Sequence, residues 1–248
     1  MNKKVIDYSK KIDSIVSWLN EYLDTTGSQG IIFGVSGGID SALLCAIANR
    51  YFPHKSLALT MHIENSQEDI DDAKLVLDTF NNVQNINVDL EKVYNTFLKV
   101  LPIGLTEQSK GNLKARLRMV SLYSHAQDKK FLVCGTSNAA EFVTGYFTKY
   151  GDSGCDILPL VNFPKSYIKE CAKILGVPEK IINKKPTAGL RPNQTDEEDL
   201  GVEYSIIDDF LLGNFIDNKD LVQIIKLQID TDHKRKLPAS PLQKGKII

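Results

Sequence analysis

Eight residues constrain this chain more than any others: Gly34-Val35-Ser36-Gly37-Gly38-Ile39-Asp40-Ser41, set between the apolar run Ile31-Ile32-Phe33 and the helix-forming run Ala42-Leu43-Leu44-Cys45-Ala46-Ile47-Ala48. The order reads as strand, tight turn, helix N-terminus. Glycines let the backbone bend and expose its N–H groups, and the start of a helix adds roughly half a unit of positive partial charge. Such a turn suits a phosphate. Ser36 and Ser41 offer hydroxyls, and Asp40, a carboxylate beside an anion, makes sense with Mg²⁺ between it and the phosphate oxygens. The pattern lacks the Lys of GxxxxGK[ST] and the third glycine of GxGxxG, so neither of the commonest glycine-rich loops is present. The alternative is a capped strand-to-helix turn with no ligand, which two adjacent glycines followed by Asp and Ser disfavour.

A chain of 248 residues, 42% hydrophobic, can bury one large core without disulfides. Lys and Arg number 30 against 31 Asp and Glu, so no bulk charge draws it to nucleic acid or a membrane surface. Cys45, Cys134, Cys155 and Cys171 show no CxxC spacing and read as reduced packing residues. The N-terminal sequence has neither a signal peptide pattern nor a membrane span, and a cytoplasmic location is expected.

Along the chain, Ile12, Ile15, Val16, Leu19, Tyr22 and Leu23 mark one face of a helix spanning Val5–Leu23. Strands are expected at Gly30–Val35, Ser56–Met61, Asn85–Asp89 and Phe131–Gly135, with helices after the first, second and fourth. This alternation predicts an α/β fold: a Rossmann-like parallel sheet of about five strands flanked by helices, with helical N- and C-terminal extensions in one domain. Ligands of such sheets lie at the strands' carboxyl ends, where the glycine turn falls. Leu101–Gly111 lacks periodicity and reads as a loop before a helix from Asn112 to about Gln127. Arg116 and Arg118 stand about 200° apart around that helix and cannot serve the same contact. The fourth strand leads to Thr136 and Glu141; if it neighbours the first, Asp40 and Glu141 can flank one Mg²⁺. On its own, Glu141 reads as a favourable charge at a helix start. Val143–Asp156 mixes aromatics and glycines with Lys149, Asp152 and Asp156, the composition of a binding loop. Ile182–Thr195 reads as a mobile lid over the nucleotide, Asp196-Glu197-Glu198-Asp199 as a solvated helix start, and two amphipathic helices follow.

Taken together, SGGIDS, Lys114-Ala115-Arg116-Leu117-Arg118-Met119, Gly135-Thr136 with Ala139-Ala140-Glu141, the Thr144–Asp152 segment TGYFTKYGD, and His233-Lys234-Arg235 with Pro238-Ala239-Ser240 resemble the ammonia-dependent NAD⁺ synthetases. SGGxDS alone indicates only the ATP pyrophosphatase superfamily, whose fold is of the adenine nucleotide α-hydrolase type; the later segments narrow the match. The resemblance implies a homodimeric C–N ligase in which ATP adenylylates the nicotinate carboxylate of deamido-NAD⁺ and ammonia displaces AMP, giving NAD⁺. It implies a single domain over residues 1–248, with no glutaminase. By resemblance, Gly34, Val35, Ser36, Gly37, Gly38, Ile39, Asp40, Ser41, Thr136, Lys165 and Thr187 contact ATP, and Asp40 and Glu141 ligate Mg²⁺. Arg116, Lys149, Asp156, His233 and Lys234 correspond to deamido-NAD⁺ contacts, while Asp152 and Lys165 correspond to catalytic groups. A carboxylate at Asp152 can attract ammonium and accept the proton it must shed to become a nucleophile.

The chain departs from the family pattern at Ser137-Asn138, where Asp-His is common, at Gly189, where an acid is often found, and at Met61, where some members carry an Arg near adenine. At this last position base recognition is expected to rest on backbone and Gln67. The competing readings are another adenylylating ligase, such as the ammonia-using synthase part of GMP synthetase, a sulfurtransferase of the same superfamily, and a non-catalytic nucleotide sensor. The sulfurtransferase would want a basic RNA surface or reactive cysteine pairs, and a sensor has no need of two metal carboxylates.

Overall fold

The computed structural model describes residues 6–101, 104–187 and 195–239. Its first helix, α1 (Tyr8–Thr26), is capped by Asp7, which accepts the Lys10 N–H, and ends at Gly27 in the left-handed conformation. It leads into β1 (Gly30–Gly34), the glycine turn, and α2 (Ile39–Tyr51). Then come β2 (Ser56–His62), α3 (Gln67–Thr79), β3 (Gln84–Asp89), α4 (Glu91–Val100), α5 (Glu107–Lys129), β4 (Phe131–Val133) and α6 (Ala139–Thr144). Beyond the binding-type loop lie α7 (Lys165–Ile174), α8 (Glu179–Ile182), α9 (Asp196–Leu200), α10 (Tyr204–Leu212) and α11 (Asn218–Asp230).

All strands pair in parallel in the order β3-β2-β1-β4. The chain runs outward from β1 to β3 and then returns to β4 on the other side, so the order reverses between β1 and β4. A crevice opens at the carboxyl ends of such a pair. Alternation along β1 assigns the faces: Ile31 and Phe33 join α1, α2 and α7, while Ile32, with Leu57, Leu59 and Val133, packs on Met119, Leu122 and Ala126 of α5. Ile31, Ile32 and Phe33 are fully buried, as a central strand covered on both faces requires. Ala42 to Ala48 of α2 are buried all round, which makes it an interior helix. The C-terminal extension has its own small core, with Ala140 of α6 against Leu200, Val202, Tyr204, Ile207 and Ile224.

The sheet has four strands where the sequence predicts about five. Past β4 only an isolated bridge joins Cys134 to Ile157. The Asp156 carboxylate takes the Val133 N–H at 2.7 Å and the Asp156 N–H returns to the Val133 carbonyl at 2.9 Å, so one residue occupies the place of a further strand. The loop read over Leu101–Gly111 is also shorter than expected. The Thr106 hydroxyl accepts the Ser109 N–H and starts α5 at Glu107, a polar first turn that apolar periodicity cannot reveal. Helix α4 forms where the sequence predicts no helix; it packs through Tyr94 against Ile63 and Leu90 and leaves Val93, Phe97 and Val100 exposed. All four cysteines are unpaired, and burial pushes the Cys45 thiol up to about 12 and Cys171 to about 11, consistent with inert packing groups. Among the described residues no helix is long and apolar enough to cross a membrane.

Candidate active site

A cavity of about 420 Å³ opens at the carboxyl ends of β1 and β4, a volume in the range of small-molecule sites. The glycine turn forms its floor. Gly37 has a φ of +80°, and a Cβ there would lie 2.7 Å from the Asp72 Cβ of α3, so the turn can press against that helix only as glycine. Ser41 Oγ donates to the Gly38 carbonyl at 2.9 Å and accepts the Ser36 N–H at 3.2 Å, which fixes the bend from inside. Gly38, whose own N–H donates to Ser36 Oγ at 3.3 Å, stands at the N-cap of α2 and offers no side chain to the helix's first N–H groups. The first turn of this buried helix lines the cavity with no side-chain cap on its N–H groups, an arrangement that a phosphate would complete.

Asp40, one turn into α2, meets groups from the other side of the switch. Lys165, at the start of α7 and 4% exposed, places Nζ 2.5 Å from Asp40 Oδ2. Asn138 donates its side-chain amide to Asp40 Oδ1 at 3.0 Å. The same Asn138 caps α6: its Oδ1 accepts the Glu141 N–H at 3.0 Å, and its own N–H donates to Glu141 Oε2 at 3.2 Å. Asn138 thereby ties the two expected metal carboxylates to each other. Burial, then the negative charge of Asp40, pushes the Glu141 carboxyl well above its ordinary range. Burial by itself would lower Lys165, but Asp40 and Glu141 outweigh it and hold the ammonium above its usual pKa. A divalent cation would satisfy both carboxylates, and two protein oxygens leave the remaining positions for phosphate and water, as Mg²⁺ prefers. The helix bearing Lys165 begins at Pro164, which offers no cap; Asp208 of α10 supplies one, accepting the Lys165 and Ser166 N–H groups at 2.8 and 2.7 Å.

Of the ATP contacts expected from the sequence, all but Gly37 line this cavity, together with Glu141, Asp152 and Lys234. Asp152 accepts the Thr148 N–H at 2.9 Å, and its surroundings lift its carboxyl above the ordinary range, chiefly by desolvation. Lys234 donates to the carbonyls of Gly145 and Phe147, both at 2.9 Å, and burial lowers its pKa. Arg116, Lys149, Asp156 and His233 do not line the cavity and gather on the surface beside it. The Arg116 guanidinium donates to the Lys149 carbonyl, Lys149 Nζ donates to the His233 carbonyl at 2.6 Å, and Asp156 accepts the Tyr123 hydroxyl at 2.8 Å.

Two sequence expectations are corrected. Asp196 is not solvated: it is 4% exposed, lines the cavity and accepts the Tyr204 hydroxyl at 2.9 Å, while Glu197 and Glu198 carry the solvated face. Gln67 lies outside the cavity lining and donates to Asp71, whereas Met61 and Arg118 are within the lining. Half of the expected lid over Ile182–Thr195, residues 188–194 with Gly189 among them, lies outside the described residues, as does Ser240. Its flank is anchored: Lys184 Nζ is 2.8 Å from Asp69 and 2.6 Å from Asp72, and Lys180 Nζ is 2.5 Å from the other Asp72 oxygen, directly behind Gly37.

A doubly wound α/β domain with a glycine turn and two linked carboxylates at its switch point defines the class: a nucleotide-binding ligase fold of the SGGxDS type. A family model described as NAD synthase matches residues 11–240. An NH(3)-dependent NAD(+) synthetase from Malacoplasma penetrans is 51% identical over 242 residues, covering 98% of each chain. Among solved structures, an NMN synthetase from Francisella tularensis superposes with a TM-score of 0.91 at 38% identity, covering 96% of this chain and all of that one. An NH3-dependent NAD synthetase from Campylobacter jejuni gives a TM-score of 0.79 at 29% identity, covering 95% and 99%. The chain belongs to the NAD synthase family.

Proposed function

We propose that this protein uses ATP and ammonia to convert deamido-NAD⁺ to NAD⁺, acting as one synthetase domain. Family membership supports the reaction, and the single observation that carries its chemistry is the Asp40–Asn138–Glu141 linkage at the open N-terminus of α2. A nicotinate carboxylate is inert to ammonia because oxide is a poor leaving group. Attack of its oxygen on the α-phosphorus of ATP forms a C–O–P link and expels pyrophosphate; ammonia then adds to the acyl carbon and AMP departs with the C–O electron pair. Here the turn and the α2 N-terminus hold phosphates, Lys165 neutralises charge beside Asp40, and Asp152 takes the proton that ammonium sheds. Asp40 and Glu141 would hold Mg²⁺, which when bound neutralises phosphate charge.

Arg116, Lys149, Asp156 and His233 form the deamido-NAD⁺ surface, with Lys234 joining it to the cavity. Arg116 shares its helix face with exposed Val120 and Tyr123, and α4, which packs on α5 through Tyr94, leaves Val93, Phe97 and Val100 exposed; these apolar side chains support a homodimer. The unpaired cysteines support a reducing, cytoplasmic setting.

Similarity to the NMN synthetase favours a second reading in which the acceptor is the mononucleotide carboxylate. One assay separates the two. Pyrophosphate release with ATP and ammonium is measured with deamido-NAD⁺, with nicotinate mononucleotide, and with neither. The first reading requires the larger kcat/KM with deamido-NAD⁺, and release without any acceptor would sink both.

A further inference from the structure

The cations that line the cavity are not equivalent. Lys165 is matched by Asp40, and Lys184 by Asp69 and Asp72. Arg118, on α5, is held, like Lys234, by neutral acceptors, and unlike that lysine it presents a planar fork. Its Nε donates to the Met61 carbonyl and its Nη2 to Asn65 Oδ1, both at 3.2 Å. Both acceptors are neutral, and among the described residues it forms no ion pair with a carboxylate. Asp152 and Asp69 act on it only through space and offset part of the effect of burial. A guanidinium fixed along one edge, part-buried and lining a ligand cavity keeps its charge available. Its planar fork fits two oxygens of a carboxylate or phosphoryl group far better than a neutral ring. We propose that Arg118 binds the oxyanion at the reacting end of the acceptor, either its carboxylate before activation or the phosphoryl group joined to it afterwards.

This inference rests on the amidation reading, so wild-type turnover is the first control: a wild type that makes no amide removes that reading, whatever Arg118 does. With an active wild type, Arg118→Gln, Arg118→Ala and Arg118→Lys are compared in amide formation and in acceptor-dependent pyrophosphate release. Binding of the carboxylate predicts a rise of about tenfold or more in the KM for the acceptor, with the KM for ATP nearly constant. Binding of the phosphoryl group predicts instead a similar fall in pyrophosphate release at saturating substrates. In either case free guanidinium restores part of the activity of Arg118→Ala, which a purely structural tie between α5 and β2 would not produce. Arg118→Lys keeps the charge without the fork and covers the case in which the shorter variants do not fold; a clear loss at an unchanged melting temperature supports the assignment. Wild-type kinetics in Arg118→Lys and Arg118→Gln, a defect confined to the KM for ATP, or a loss in Arg118→Ala that guanidinium cannot rescue would overturn it.

Discussion

Asn138 reaches from the cap of α6 to the start of α2 and donates to Asp40 at 3.0 Å while its own carbonyl oxygen receives the Glu141 N–H. One amide thus sets the spacing of two carboxylates that come from different strand ends. An amide suits the task because it can donate to one acid and accept from the backbone of the other; a carboxylate at the same place would add a third negative charge.

Asn138→Ala should therefore leave the fold intact and weaken the proposed metal site. We expect kcat/KM to fall about 10- to 100-fold, as when other outer partners of metal ligands are removed, with half-saturation moved to higher Mg²⁺. A Mg²⁺ titration of activity checks this; an unshifted curve would leave Asn138 as only a helix cap.

Asp40→Asn is expected to abolish turnover with its circular dichroism spectrum unchanged, because the amide keeps the shape and loses the charge that faces Lys165 and Glu141. Near-normal activity in that variant would remove the metal assignment.

At Asp152 the raised carboxyl pKa sets the direction of a pH effect. Only the ionised form accepts a proton, so amide formation at constant free ammonia should decline as pH falls through a pKa above the ordinary carboxylate value. Asp152→Asn should lose that limb and slow amide formation while pyrophosphate release continues. Equal slowing of both steps would argue against a role confined to ammonia.

Behind the turn the sign is reversed. Burial opposes ionisation of Asp72, but hydrogen bonds from Lys180 and Lys184 prevail and its pKa is lowered. A depressed carboxylate stabilises the fold above its unfolded pKa and ceases to do so as pH falls through the folded value. Asp72→Asn should lower stability at neutral pH by on the order of 2 kcal/mol, given that Lys180 is half exposed and Lys184 keeps Asp69. In denaturant melts the gap from wild type should narrow in acid, below the model-peptide value of 3.8.

Gly37→Ala tests the close approach from the other side. A methyl group at φ +80° meets Asp72 Cβ at 2.7 Å and the Ala73 N at 2.9 Å, so the turn must move. A loss of about 1–3 kcal/mol, together with a raised KM for ATP, is expected; an unchanged ATP affinity would separate the packing of the turn from its use.

Much of this was legible from local order. The apolar run into Gly34, the two glycines and Asp40 specify a strand, a bend and a helix start by themselves, and strand-helix alternation implies a crevice where Asp40 and Glu141 converge. Other features depend on contacts that spacing does not encode. Asn138 meets Asp40 across 98 positions of sequence. Asp196 sits among three further acids and reads as solvated, yet the Tyr204 hydroxyl draws it inward. The helical spacing separates Arg116 from Arg118 but leaves open which one faces the cavity, because the register of α5 on the sheet is set by Met119, Leu122 and Ala126 packing beneath β1.

The Asp156 carboxylate has a consequence beyond its neighbours. By occupying the Val133 N–H it plugs the outer margin of β4, and a plugged margin cannot serve as a template for a foreign strand. Two copies of this chain cannot be joined there into one continuous sheet; any union on that side has to use another surface.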